Sequence, residues 1–258
     1  MESKKKVKKD LTNGYTLFKV YVGNTPRPGC IRGDAVKRPL VSVVTCDIVR
    51  SRKYSTEQRK QVDAILKRAF NTLRRSYKEA IHTPLSFNVI QGDEFQFVVD
   101  KPERSYEMLV FYRALAALSD LLPPVSFRAS VGIGEIAVEN RRNSYAQDGT
   151  AFHRSRLGIE KFETQKGRGR RRSKIITGDA GLDQTLDIVL MYQDLLEERW
   201  TRAQWEAVRW RFQLPTYEDI AKQIGIAYQN VQKRLKAAKW DEFGRGLEFV
   251  EKSLKAHL

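Results

Sequence analysis

Between residues 40 and 138 the apolar pattern changes period repeatedly, and that order restricts the folds open to the chain. Residues 40–48, Leu-Val-Ser-Val-Val-Thr-Cys-Asp-Ile, form a nearly continuous apolar run ending at Asp47, as a buried strand would. Over residues 57–79 the apolar positions Val62, Ile65, Leu66, Ala69, Phe70 and Leu73 recur at helical spacing, and Thr56 is a suitable N-cap. Residues 86–99 predict a β-hairpin turning at Gly92, Asp93 and Glu94, because glycine takes turn conformations that other residues resist. A second amphipathic helix is expected over 103–122, stopped by Pro123 and Pro124. A strand over 125–138 contains Gly132 and Gly134, which signal close approach of a ligand or of other backbone. A helix over 149–162, a glycine- and arginine-rich loop at 167–173 and a short strand at 174–177 complete the pattern.

Strand, helix, hairpin, helix, strand is the βαββαβ order of a ferredoxin-like α+β fold, with helices expected on one face of the sheet. In that arrangement the first strand and the hairpin lie side by side at the centre. Asp47 and Asp93 then become neighbours although 46 positions separate them. Two aspartates at adjacent strand ends suit a hard cation, Mg²⁺ or Mn²⁺, with the Ile48 carbonyl as a further oxygen ligand. Glu94 is either a ligand too or a cap on the hairpin.

The hairpin Gln91-Gly92-Asp93-Glu94-Phe95 resembles the signature hairpin of GGDEF diguanylate cyclases, with Gln91 in place of the first glycine. Class III nucleotidyl cyclases have a similar hairpin, and their first metal aspartate ends the first core strand, as Asp47 does. The segment Val-Gly-Ile-Gly-Glu-Ile at 131–136 is similar to the cyclase strand with a glycine pair. Residues 148–156 are similar to the cyclase segment in which an aspartate precedes a helix with an arginine, here Arg156. Val89 occupies the place of the cyclase lysine, so the usual purine contact is not implied. Across residues 40–240 the series Asp47-Ile48, Ser51-Arg52, Gly92 to Gln96, Val131 to Glu135, Asp148-Gly149 and Arg156 resembles the SatD family. The cyclase resemblance implies Asp47, Asp93 and Arg156 as catalytic groups. It also implies Asp47, Ile48, Asp93 and Glu94 around a metal, and Gly132, Gly134 and Arg154 near a nucleotide.

Residues 217–236 carry a second pattern. Ile220, Ile224, Ile226, Val231 and Leu235 form a compact apolar set, Ala221 is small at an expected helix crossing, Gly225 makes a turn, and Thr216 caps the first helix. This resembles a helix-turn-helix of the sigma-factor region 4 type, with an additional helix over 201–212 whose Trp205, Val208 and Phe212 face inward. Its second helix, 227–239, is expected to expose Tyr228, Gln229, Asn230, Gln232, Lys233 and Lys236. Amides suit base edges and lysines suit phosphates.

The formal charge of +16 is unevenly placed. Residues 1–40 hold ten basic and three acidic side chains, residues 150–182 nine and three, and residues 183–258 twelve of each. The excess centres on Lys4 to Lys9 and Lys166 to Lys174, runs that favour polyanions or are simply solvated. Cys30 and Cys46 form no disulfide framework, and three histidines without paired cysteines argue against zinc. No apolar run reaches membrane-spanning length and no signal sequence follows the basic run, so a cytoplasmic protein is expected. Three parts are expected: a basic extension at 1–39, disordered at its start, a cyclase-like domain at 40–182 and a helix-turn-helix domain at 183–258. The leading function is a DNA-binding regulator whose cyclase-like domain senses a nucleotide or forms a homodimer. The alternatives are an active nucleotidyl cyclase or nucleotidyltransferase, and a scaffold.

Overall fold

A computed structural model of the chain describes residues 39–82, 87–91, 93–137, 148–164 and 171–258. Gly92, the basic run at 4–9 with nearly all of the extension expected at 1–39, and the loop residues 165–170 lie outside them. The protein is α+β. The strands β1 (Val41–Ile48), β2 (Asn88–Gln91), β3 (Glu94–Val99), β4 (Phe127–Gly134) and β5 (Ser173–Ile176) form one sheet in the order β2-β3-β1-β4-β5. β1 is antiparallel to β3 and β4, β2 is antiparallel to β3, and β4 runs parallel to β5. β1 therefore lies beside β3 of the hairpin in the sheet interior, while the hairpin's other strand, β2, forms an edge.

Helices α1 (Thr56–Ser76) and α2 (Ser105–Ala117) pack on one face of the sheet, and α3 (Thr150–Thr164) packs on the other. The two helices of the βαββαβ order thus share one face, and the additional α3, after β4, covers the other. Ser55, not Thr56, caps α1: its side chain accepts from the Gln58 amide and Gln58 reaches back to the Ser55 amide. Strand alternation divides the core. Val44, Cys46 and Ile48 join Phe95, Phe97, Leu66, Phe70 and Tyr112 beneath α1 and α2. Val41, Val43 and Val98 meet Ala151 of α3.

The C-terminal helices are α4 (Ala180–Glu197), α5 (Arg202–Arg211), α6 (Tyr217–Ile224), α7 (Tyr228–Ala237) and α8 (Trp240–His257). The boundary expected at 182/183 falls within α4. Arg38–Leu258 form one compact unit, and one apolar core runs from Phe97 and Tyr112 to Val208, Val231 and Phe243. Phe111 of α2 meets Phe212 edge-on at 5.6 Å. A buried polar joint fastens α4 to the sheet edge. Asp194 accepts from the Arg172 amide at 2.7 Å and from the Ser173 amide and hydroxyl at 3.0 and 2.7 Å. Arg113 of α2 donates to Glu197 at 3.0 Å and to the Ser173 hydroxyl at 2.8 Å.

Candidate functional site

At the end of β1, pairing places Asp47 between Glu94 of β3 and Arg128 of β4. All three follow the strand parity of Thr45, Gln96 and Ser130, so their side chains lie on the α3 face. Arg128 donates to Asp47 through Nε at 3.1 Å and also through Nη2. The same guanidinium lies 5.8 Å from the ring centre of Phe162 on α3. Glu94 pairs with Arg156 of α3 at 3.3 Å. Beneath these ion pairs runs a buried ladder: Gln96 donates to the Thr45 hydroxyl at 2.7 Å, and Thr45 donates to the Ser155 hydroxyl at 2.8 Å. Three strands and a helix thus converge on a mixed-charge cluster at one end of the interior strands.

Asp93 sits in the hairpin turn beside this cluster. Its backbone carbonyl accepts from the Ile48 amide at 3.1 Å, and its carboxylate accepts from the Ser51 hydroxyl. With Ile48, Asp63, Leu66 and Phe87 it lines a small crevice next to α1. Asp47, Ile48, Asp93 and Glu94 are therefore brought to one end of the two central strands, as the hairpin pattern implies. Asp148 is placed apart from them and pairs with His153 at 2.7 Å. Among the described residues no three His, Cys, Asp or Glu side chains gather as a metal-holding group.

Gly132 and Gly134 admit a close approach of other backbone, one of the two alternatives expected for them. A Cβ on Gly132 would lie 2.2 Å from both the Ala151 carbonyl oxygen and the Ser155 amide nitrogen. A Cβ on Gly134 would lie 2.7 Å from the Ala151 amide. The space beside the glycine pair is filled by the backbone of α3, which the absence of a Cβ lets pack closely. Arg154 is engaged with the protein's own backbone. It donates to the Ile133 carbonyl, and its guanidinium occupies the place a Cβ on Gly178 would take. Sequence reasoning missed Arg128, the direct partner of Asp47, because only strand register brings position 128 opposite position 47.

Near the C-terminus, Thr216 caps α6 by accepting from the Asp219 amide at 3.1 Å. Gly225 ends α6 at φ 77°, a left-handed conformation that favours glycine, and its amide donates to Ala221 at 2.8 Å. Ile220, Val231 and Leu235 are buried with Trp205 and Val208 of α5. Burying those positions turns the rest of α7 outward. Tyr228, Gln229, Asn230, Gln232, Lys233 and Lys236 are all exposed, while Arg234 is held by Glu206 of α5 at 2.8 Å.

These features define the protein first as an α+β sheet module joined to a C-terminal helical set. The sequence pattern of the SatD family matches residues 41–245, which span both parts, and the chain belongs to that family. No curated protein matches it. No helix among the described residues is long and apolar enough to cross a membrane.

Proposed function

We propose that the chain is a DNA-binding regulator. In this reading α6 and α7 form a helix-turn-helix, α7 enters the major groove, and the sheet is a ferredoxin-like palm of the nucleotidyl-cyclase kind. The observation that carries it is the outward face of α7. Three amide side chains, Gln229, Asn230 and Gln232, stand beside Lys233 and Lys236, with Tyr228 in the first turn and no carboxylate on the helix. Amides can pair with adenine edges, and lysines can contact phosphates. The palm reading is supported by the strand order β2-β3-β1-β4 with antiparallel neighbours and two helices on one face.

The palm's role in this reading is to hold a metal-bound nucleotide. Asp47, Asp93 and the Ile48 carbonyl offer a donor set made only of oxygen, which fits Mg²⁺ or Mn²⁺. Such a cation supplies charge neutralisation at the phosphates. Arg156, half exposed and paired with Glu94, is placed to turn toward a phosphate. Arg128 holds Asp47 until a cation competes for it. Catalysis, as a nucleotidyl cyclase or transferase using Asp47, Asp93 and Arg156, is the second reading. It is favoured by the single hydrogen bond that locks Ile48 to Asp93 at the strand ends.

One experiment addresses both readings. The full chain is used to select duplexes from a random pool, and affinity for the winning duplex is measured with and without each nucleoside triphosphate and Mg²⁺. The expected result is an enriched sequence whose affinity falls at least about tenfold with Gln229→Ala and Lys233→Ala combined. No enrichment, or unchanged affinity in that variant, overturns the DNA reading. A nucleotide-dependent shift that disappears with Asp47→Asn or Asp93→Asn is expected of the sensor. A converted nucleotide in the same mixture would assign catalysis instead. No shift and no product removes the palm's nucleotide role.

A further inference from the structure

The solvent face of α1 carries a row of cations. Its buried positions Val62, Ile65, Leu66, Ala69, Phe70 and Leu73 leave Arg59, Lys60, Lys67, Arg68, Arg74 and Arg75 exposed. They fall in three pairs, seven or eight residues apart, so successive pairs lie about 11 Å apart along the axis. That spacing is about three phosphate steps along one DNA strand. A helix face that is merely solvated is often balanced by acids three or four residues away. Here one such pair closes within 4 Å among the described residues, Lys60 with Glu57 at 3.7 Å, with both side chains more than 70% exposed, while the exposed Asp63, four residues from both Arg59 and Lys67, closes on neither. The remaining cations on this face have no carboxylate partner among the described residues.

The row also leads toward the helices that carry α7. Ser76 at the end of α1 accepts a hydrogen bond from Gln213, in the turn between α5 and α6, at 2.9 Å. An open groove of about 640 Å³ lies between them, with Arg75, Lys78, Lys101 and Arg104 on one side and Phe212 and Gln213 on the other. Its two carboxylates are engaged: Glu107 by Arg104 at 2.7 Å, and Glu79 by Lys101 at 3.6 Å. The turn precedes Thr216, the cap of α6. In helix-turn-helix docking the first helix of the pair crosses the sugar–phosphate backbone.

We propose that the exposed face of α1 is a second, sequence-independent contact surface. It takes the phosphates of duplex DNA flanking the stretch read by α7, and so it rests on the DNA-binding reading above. At 21 residues α1 is about 30 Å long, enough to follow about nine base pairs of backbone.

The test compares the full chain with a Lys67→Gln, Arg68→Gln, Arg74→Gln variant, whose changes are exposed and break no ion pair among the described residues. Affinity is measured against salt on a short duplex cut to the selected site and on one extended by about ten base pairs on each side. In the wild type the longer duplex is expected to bind more tightly. In the variant that gain disappears, the salt slope falls by about two to three, and the ranking of sequences is kept. An unchanged slope on the long duplex overturns the α1 surface while leaving the α7 reading in place. Absence of any duplex binding by the wild type overturns both. If the variant instead loses affinity for single-stranded RNA or anionic vesicles but not for duplex, the face serves another polyanion and the proposal fails.

Discussion

A methyl group at Gly132 would collide with three backbone atoms of α3, and none can move without the helix. Gly132→Ala is therefore expected to destabilise the protein by about 1–3 kcal/mol, the usual penalty for overpacking a tight interior. Gly244 in α8 is the matched control, because nothing lies within 4 Å of a Cβ there. Gly244→Ala is expected to stabilise by about 0.5–1 kcal/mol, as removal of a helical glycine does. Urea midpoints of the two variants would show the opposite signs, and a neutral Gly132→Ala would refute the packing role. The sequence announces that both glycines of β4 need close approach, but not what approaches. Chain order alone cannot distinguish the backbone of α3 from a nucleotide. Asp47 is legible for a similar reason and to a similar limit. Its place at the end of an apolar run marks a strand terminus, whereas Arg128 becomes its partner only through the β1–β4 register.

Among the elements, strongly periodic ones are legible and evenly apolar or mixed ones are not. The periodicity places α1, the hairpin, α2 and α6 close to where they lie, because each has a clear apolar face or a glycine or proline stop. It gives no sign of α4 and α8. In α4 the exposed Ile188, Tyr192 and Leu195 blur the amphipathic pattern, and the inward Gln193, Asp194 and Glu197 are polar. The basic face of α1 is invisible for another reason: counting charge over residues 41–149 averages its cations with acids elsewhere in the fold. Within α4, two carboxylates respond to pH in opposite directions. Burial pushes the Asp194 carboxyl up, more strongly than Arg113 beside it holds it down. Burial also opposes ionisation of Asp187, but hydrogen bonds from Arg171 and Lys174 outweigh it and hold that carboxyl below its ordinary range. The folded state therefore binds the Asp194 proton more tightly than the unfolded chain does. That contribution to stability is complete below the ordinary carboxyl value of about 4 and is lost as pH rises through the raised value. The Asp187 contribution is present above about 4 and is lost as pH falls through the lowered value. Asp194→Asn is expected to gain stability relative to wild type as pH increases above about 4. A difference in urea midpoint that stays constant across pH would contradict this.

Over the whole molecule, the sheet and the C-terminal helices share one core and are joined by the Arg113–Glu197 pair and the Asp194–Ser173 contacts. Patterns read one segment at a time suggest separate domains, since each segment can bury its own apolar face. The joint depends on Ser173, Asp194, Glu197 and Arg113, residues far apart in sequence whose pairing carries no local signature. The most direct measurement of the DNA-binding claim is amide hydrogen exchange on the full chain, with no DNA, with a random duplex, and with the selected duplex. The expected result is slowed exchange over Tyr228–Ala237 that is greater with the selected duplex than with the random one. Exchange in α7 that is unchanged by either duplex, or slowed equally by both, would contradict it.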